Sequence, residues 1–309
     1  MVIKKLILQF IKVFWWFIGH LPLQVNLRIG RVIGRLGFYL DKKHRDIAIR
    51  NITTAFGDTK TANELYVLAK KAFENLGMNS MEFCRLPWLT EKNLAGYIEC
   101  DGFENFKKAY DKGQGVIFLT GHFGNWELMA IFYALKGYPV DIIVRDLDNP
   151  VVDEFIRWVR TRAGNRTISK GRSMRELMRV LSKGGIVGVL LDQNVTWSEG
   201  VFVNFFNQLA CTNKGTALLA LASNAAVVPT FIVRERKGHR IIIGEEITLV
   251  NTGDRANDQL NNTAIFTRVI EDFVKKYPEQ WFWLHQRWKS RPENDPNKGT
   301  EKAALIQTR

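Results

Sequence analysis

Hydrophobic positions change their rhythm along this 309-residue chain. Before residue 90 they recur with helical spacing. Residues 22–40 bring Leu27, Val32, Ile33, Leu36 and Tyr39 toward one side, with arginines on the other. Residues 42–56 and 60–86 also read as helices, the second amphipathic through Leu65, Leu68, Phe73, Leu76, Met81 and Phe83. From residue 116 the pattern becomes short, continuous apolar runs rich in β-branched residues, at 116–120, 140–145, 186–192, 226–234 and 239–250. Helical stretches near 125–136, 151–163, 172–183, 213–225 and 257–277 separate them. This alternation predicts an α/β fold with a mostly parallel central sheet, buried on both faces and flanked by helices. Residues 239–250 are expected to return beside 226–234 as a hairpin across Lys237 and Gly238. In such sheets a site gathers at the carboxyl ends of the strands.

The N-terminus breaks this scheme. Between Leu6 and Ile18 the chain reads LILQFIKVFWWFI, interrupted only by Gln9 and Lys12. That run is short for a spanning helix of about 20 residues, and it lacks the small-residue cleavage site of a signal peptide. Trp15, Trp16 and Phe17 beside Lys4, Lys5 and Lys12 suit a hydrophobic, membrane-anchoring helix at the headgroup boundary. A plain core helix and a short span are the competing readings. The expected organisation is an anchor over residues 1–20, one catalytic domain over 21–295 and a polar tail over 296–309.

Charge changes the picture further. Residues 1–50 hold ten lysines and arginines against Asp41 and Asp46, so +8 of the net +13 lies in the first sixth of the chain. A basic face suits a membrane surface, an anionic substrate or nucleic acid, but no nucleic-acid-binding motif accompanies it. With 46% hydrophobic and 24% charged residues, the chain is not of a disordered class. Cys84, Cys100 and Cys211 are far apart and read as buried thiols of a reducing compartment, with neither disulfide framework nor zinc site.

Candidate chemistry sits after the first strand, in VIFLT-GHFGNW-E. His122 lies on the loop, and Glu127 falls in the first turn of the following helix. Gly121 and Gly124 permit tight turns, and the helix start offers N–H donors for a phosphate or a developing oxyanion. Acyl transfer to a hydroxyl needs a base of near-neutral pKa, and a carboxylate on its other ring nitrogen fixes the tautomer. His122 is therefore the expected base and Glu127 its orienting partner, with backbone donors near Gly124 and Asn125 for the oxyanion. The H-x4-E spacing alone is weak: with five histidines, about half a match arises by chance. The other four histidines lack the glutamate.

GHFGNWE resembles the H-x4-D/E motif of glycerolipid acyltransferases, in the form found in late lipid A biosynthesis acyltransferases. VRDLDNP (144–150), GGIVGVLLDQN (184–194), GVFVNFFNQLACTNKG (200–215) and PEQWFWLHQRWKSRP (278–292) resemble further segments of that family in order. Asn207 departs from the family's usual Gly, and Trp281 from its usual Tyr. The resemblance implies an enzyme on the cytoplasmic face of the bacterial inner membrane. It would take an acyl chain from acyl-carrier protein, or an acyl-CoA thioester, and esterify a hydroxyl of a lipid A precursor, a Kdo-bearing phosphorylated disaccharide lipid. Implied partners are acyl-carrier protein, an anionic glycolipid and inner-membrane lipids. No metal, no cofactor beyond the thioester and no nucleic acid is expected. Same-fold enzymes acting on an ornithine lipid, aryl-polyene lipid or phosphoinositide mannoside are the alternative.

Further residues are expected to bind substrates: Asn125 at the helix start, Arg145 and Asp192-Gln193 at strand ends, Arg162, and Lys214. Arg160, Arg162 and Arg166 are candidates for one anion-binding surface, with a solvated helix face as the competing reading of Arg160 and Arg162. Thr212 reads first as an N-cap, and Lys214 opposes the following helix dipole, as a bound anion would explain. His285, Arg287, Lys289 and Arg291 alternate, which in an extended segment puts them on one side. Phe123, Trp126, Met129 and Phe205 are candidates for the acyl pocket.

Overall fold

A computed structural model describes residues 2–170 and 173–293. Four helices open the chain: α1 (Val2–His20), α2 (Leu23–Leu40), α3 (Lys42–Phe56) and α4 (Ala62–Phe83). Then come α5 (Glu91–Leu94), β1 (Ile98–Asp101), α6 (Phe103–Tyr110), β2 (Val116–Thr120), α7 (Trp126–Leu135) and β3 (Val140–Val144). They are followed by α8 (Pro150–Thr161), β4 (Arg166–Ser169), α9 (Ser173–Leu181), β5 (Ile186–Leu190), β6 (Gly200–Phe205) and β7 (Gln208–Asn213). The chain continues through α10 (Gly215–Ser223), β8 (Ala226–Glu235), β9 (Gly238–Ile243) and α11 (Arg255–Lys276). Residues 296–309, the expected polar tail, lie outside the described residues.

Seven strands form one sheet in the order β1-β9-β8-β2-β5-β3-β4. Every pairing is parallel except the β8–β9 hairpin. The predicted α/β class and that hairpin are both present. β2 is buried along its whole length. Ile117 and Leu119 enter one apolar cluster, Val116 and Phe118 the other. That alternation is the period-two signature of a strand covered on both faces.

β1, β4 and the β6–β7 pair go beyond the predicted strands. β1 and β4 are four-residue edge strands carrying polar residues. β6 and β7 form a separate two-stranded sheet joined by Phe206 and Asn207, both with positive φ (54° and 57°). A two-residue hairpin turn of this kind demands the left-handed region, where Gly and Asn are tolerated best. Asn207 can therefore take the place of the family's glycine.

The N-terminal expectations change most. Among the described residues no helix is long and apolar enough to cross a membrane, so α1 is not supported as a spanning anchor. Trp15, expected in the headgroup region, instead packs edge-on against Phe155 (4.8 Å) and Phe83 (6.2 Å), and the Lys12 ammonium lies 4.6 Å from the Trp158 ring. α1 thus docks on α4 and α8. The expected apolar side of α2 faces outward: Val32, Ile33, Leu36 and Tyr39 are all exposed, while Asn26, Gly30, Gly34 and Phe38 are buried. Gly30 and Gly34 let the α2 backbone touch that of α4, and a Cβ on Gly77 would stand 2.1 Å from the Gly30 carbonyl oxygen. Arg35 and Arg31 meet Glu74 of α4 at 2.6 and 3.9 Å.

Candidate active site

Two adjacent parallel strands deliver the candidate groups. Thr120 at the end of β2 pairs in register with Leu190 at the end of β5. His122 and Asp192 each follow two residues later, so the topology brings them together at the carboxyl edge. His122 Nδ1 lies 2.8 Å from Asp192 Oδ1, and the His122 backbone N–H donates to Oδ2 at 2.8 Å. Trp281 Nε1 donates to the same Oδ2 at 2.7 Å. Asp192 is almost wholly buried, whereas the His122 side chain is 23% exposed. Burial alone would raise the Asp192 pKa, but the charge of His122 and the hydrogen bonds from His122 and Trp281 outweigh it and hold the carboxyl below its ordinary range. With Nδ1 bonded to a carboxylate, Nε2 is the nitrogen left to accept a proton. Gln193 Nε2 stands 3.4 Å from it.

The carboxylate at the ring nitrogen is therefore Asp192, where the sequence spacing pointed to Glu127. Glu127 pairs with Arg160 of α8, its two oxygens 3.2 and 3.0 Å from the guanidinium Nε. This pair, with Asn79, Ser80 and Asn125, lines the polar part of a cavity of about 300 Å³. Trp15, Leu76, Phe83, Trp126 and Ile156 form its apolar part. Of the four proposed pocket residues only Trp126 lines it. Phe123 and Phe205 are core side chains against Phe231 and Trp281 respectively, and Met129 packs in the second core cluster.

The loop between β2 and α7 is tightly packed. Gly124 has φ +53°, and a Cβ there would lie 1.9 Å from the Ile232 carbonyl oxygen. Its N–H donates to the Gln280 carbonyl at 2.9 Å, so it is not the free oxyanion donor that was expected. Asn125 caps α7, its Oδ1 accepting from the Leu128 N–H at 3.1 Å and its Nδ2 donating to Glu82 at 2.8 Å. The residue thus acts first as a structural cap at the cavity edge.

Behind the loop lies a buried polar network that the sequence reading missed. Glu82 of α4 accepts from Arg234 Nη1 (2.7 Å) and lies 2.9 Å from His239 Nε2, and the Tyr97 hydroxyl also bonds to it. Asn79, bonded to Arg234, also donates to the Gly124 carbonyl. Burial opposes ionisation of Glu82, but the charges of His239 and Arg234 hold its pKa well below the carboxylate range. The available signal was the run Asn75, Asn79 and Glu82, which at helical spacing share one face of α4.

Other expected positions scatter. Arg145 and Arg162 are exposed. Arg166 is tied to Asp141 at 2.6 Å. Lys214 occupies the N-cap position of α10, and Thr212 is a buried β7 residue accepting from Arg287 Nη2 at 2.6 Å. The Gly215 N–H is capped by Asn213 Oδ1 at 2.7 Å. The segment from His285 to Arg291 turns tightly, so its basic residues do not share one side. Arg287 is fully buried and also donates to the Cys211 carbonyl; burial pushes its pKa down to about 10. His285 Nε2 accepts from the Asn194 N–H at 3.0 Å, and burial lowers the His285 pKa, which favours that neutral acceptor form. Among the described residues no three His, Cys, Asp or Glu side chains converge as a metal site.

Comparison with known proteins adds the deciding observation. The family model for bacterial lipid A biosynthesis acyltransferases matches residues 2–290. The chain belongs to that family. It is 28% identical over 287 residues to the lipid A biosynthesis lauroyltransferase of Escherichia coli K12, covering 92% of this chain and 91% of the relative. The palmitoleoyltransferase of the same organism is 27% identical over 284 residues, covering 90% and 89%. The corresponding myristoyltransferase is 24% identical over 264 residues, covering 85% and 80%. These relatives are named for acyl groups of different length, so family membership fixes an acyltransferase but not its acyl chain.

Proposed function

We propose that this acyltransferase moves a fatty acyl chain from the thioester of acyl-carrier protein to a hydroxyl of a lipid A precursor, a Kdo-bearing phosphorylated disaccharide lipid, at the cytoplasmic face of the inner membrane. The observation carrying the chemistry is the 2.8 Å contact of His122 Nδ1 with buried Asp192, which leaves Nε2 as base. The acceptor hydroxyl gives its proton to Nε2 as its oxygen attacks the thioester carbonyl. The tetrahedral oxyanion then collapses, the C–S bond breaks, and the imidazolium returns the proton to the departing thiolate. Asp192 orients the ring and stabilises the imidazolium. Gln193, whose side-chain amide stands 3.4 Å from Nε2, is the proposed side-chain donor to the oxyanion. Glu127, clamped by Arg160, lines the polar part of the cavity, whose apolar walls suit the acyl chain. Arg145, Arg162 and Lys214 supply exposed or half-buried charge for anionic partners.

The test is an acceptor panel. Purified protein with acyl-carrier-protein thioesters is offered the lipid A precursor, an ornithine lipid and a phosphoinositide mannoside, and products are identified by mass. Acylation of the lipid A precursor is expected to lead by roughly a hundredfold. Preferential acylation of another lipid would overturn the acceptor while leaving the His122 chemistry standing.

A further inference from the structure

α2 is built inside out. At 3.6 residues per turn its large apolar residues, from Ile29 through Val32, Ile33, Leu36, Tyr39 and Leu40, fall within an arc of about 120°. None of them is covered: Val32 is 54%, Leu36 53% and Leu40 80% exposed. The opposite arc, Asn26, Gly30, Gly34 and Phe38, is the buried one. In water the hydrophobic effect would favour the reverse arrangement. Close backbone packing forbids it, since a Cβ on Gly34 would stand 2.2 Å from the Phe73 carbonyl oxygen. Rolling α2 to bury Ile33 would force side chains into space that admits only hydrogen. The exposed row is thus locked outward, and contiguous apolar surface of this kind marks an interaction site.

Charge identifies the occupant. The first 40 residues of the chain contain six lysines and arginines and no aspartate or glutamate. On α2 itself Arg28, Arg31 and Arg35 line one edge of the apolar arc, Arg31 and Arg35 shared with Glu74. An apolar strip with a cationic border fits a lipid surface bearing anionic headgroups, with side chains in the acyl boundary and guanidinium groups at the phosphates. A second copy of α2 would instead set like charges against each other. An apolar strip confined to one arc calls for a helix lying in the interface plane, in keeping with the absence of a membrane-crossing helix among the described residues.

We propose that α2 is a membrane-docking helix that lies flat in an anionic bilayer surface, with Ile33 and Leu36 at the centre of its immersed face. The proposal rests on the packing of α2 and is independent of which lipid is acylated.

The full chain is sedimented with sucrose-loaded vesicles of phosphatidylcholine alone, or with about one-third phosphatidylglycerol, at salt of about 0.1 M and 0.5 M. Wild-type protein is expected on the anionic vesicles, less strongly at high salt. The Ile33→Asp, Leu36→Asp double variant should lose at least about tenfold in partitioning, and the Ser pair at the same positions several-fold. Both variants keep the melting curve and their turnover on detergent-dispersed acceptor, because neither position touches the site. Unchanged partitioning of the folded variants would overturn the proposal, as would equal binding of wild type to both vesicle types. A soluble dimer of the wild type that either pair dissociates would assign the face to a second copy instead.

Discussion

Asp192→Asn keeps the shape of the side chain and removes one of its acceptors. Asp192 Oδ2 accepts two hydrogen bonds, from the His122 N–H and Trp281 Nε1, and Oδ1 faces His122 Nδ1. An asparagine has one acceptor oxygen and one donating NH2. The oxygen is best placed where two N–H groups converge, which turns the NH2 toward Nδ1. The ring must then carry its proton on Nε2, and the base is lost. Losing the correct tautomer is expected to lower kcat by roughly 10²- to 10⁴-fold, about 3–5 kcal/mol in the barrier, with KM little changed. A stability loss of about 1–3 kcal/mol accompanies the weakened buried hydrogen bonds. The assay is steady-state acyl transfer at saturating thioester, followed by product mass, with a melting curve on the same sample. A kcat within about fivefold of wild type in folded Asp192→Asn protein would refute the orienting role. If Glu127→Gln abolished turnover at the same time, that role would pass to Glu127.

Glu127→Gln weakens the clamp on Arg160 and is expected to cost roughly tenfold or more in turnover through the cavity's electrostatics; steady-state acyl transfer within about twofold of wild type would contradict it. Gly124→Ala should destabilise the protein by about 3 kcal/mol or more, since its Cβ would collide with the Ile232 carbonyl at a φ of +53°; a melting temperature within a degree or two of wild type would contradict the packing. Asp192 and Glu82 both ionise below their ordinary range in the folded state. Their stabilising contributions are full above the unfolded carboxylate pKa of about 4 and are lost as pH falls through the lower folded values. The melting temperature should therefore fall below about pH 4, less steeply in Glu82→Gln; identical acid limbs would exclude Glu82 from that linkage.

The parallel core was legible because strands such as β2, covered on both faces, must be apolar throughout, and 116–120 is. β4 was not legible: a four-residue edge strand beginning at Arg166 carries too few inward positions to show a period. For α2 the periodicity correctly marks one apolar face, but sequence spacing is silent on whether that face meets protein or the exterior. Its glycines, which decide the matter by backbone contact with α4, look like helix weakeners when read along the chain. The active site shows the same limit. His122 is a candidate base from its own segment, but the carboxylate bonded to its ring stands 70 residues away and is brought near by the pairing of β2 with β5. Glu127 was the nearest acid in sequence, and Arg160 claims it in space. For Asp192 the sequence shows only that it follows an apolar strand; the partner of its carboxylate is visible only in the fold.

In the proposed mechanism the acyl chain passes directly to the acceptor, with His122 Nε2 as the base. A single-turnover reaction with acyl-carrier-protein thioester and lipid A precursor, read by mass spectrometry of both lipid and intact protein, tests it most directly. The expected products are a precursor heavier by one acyl chain and no acylated protein at any time, with His122→Ala slower by about a hundredfold or more while still folded. A covalent acyl-protein that forms and decays at the rate of turnover, or a His122→Ala variant that acylates at the wild-type rate, would contradict it.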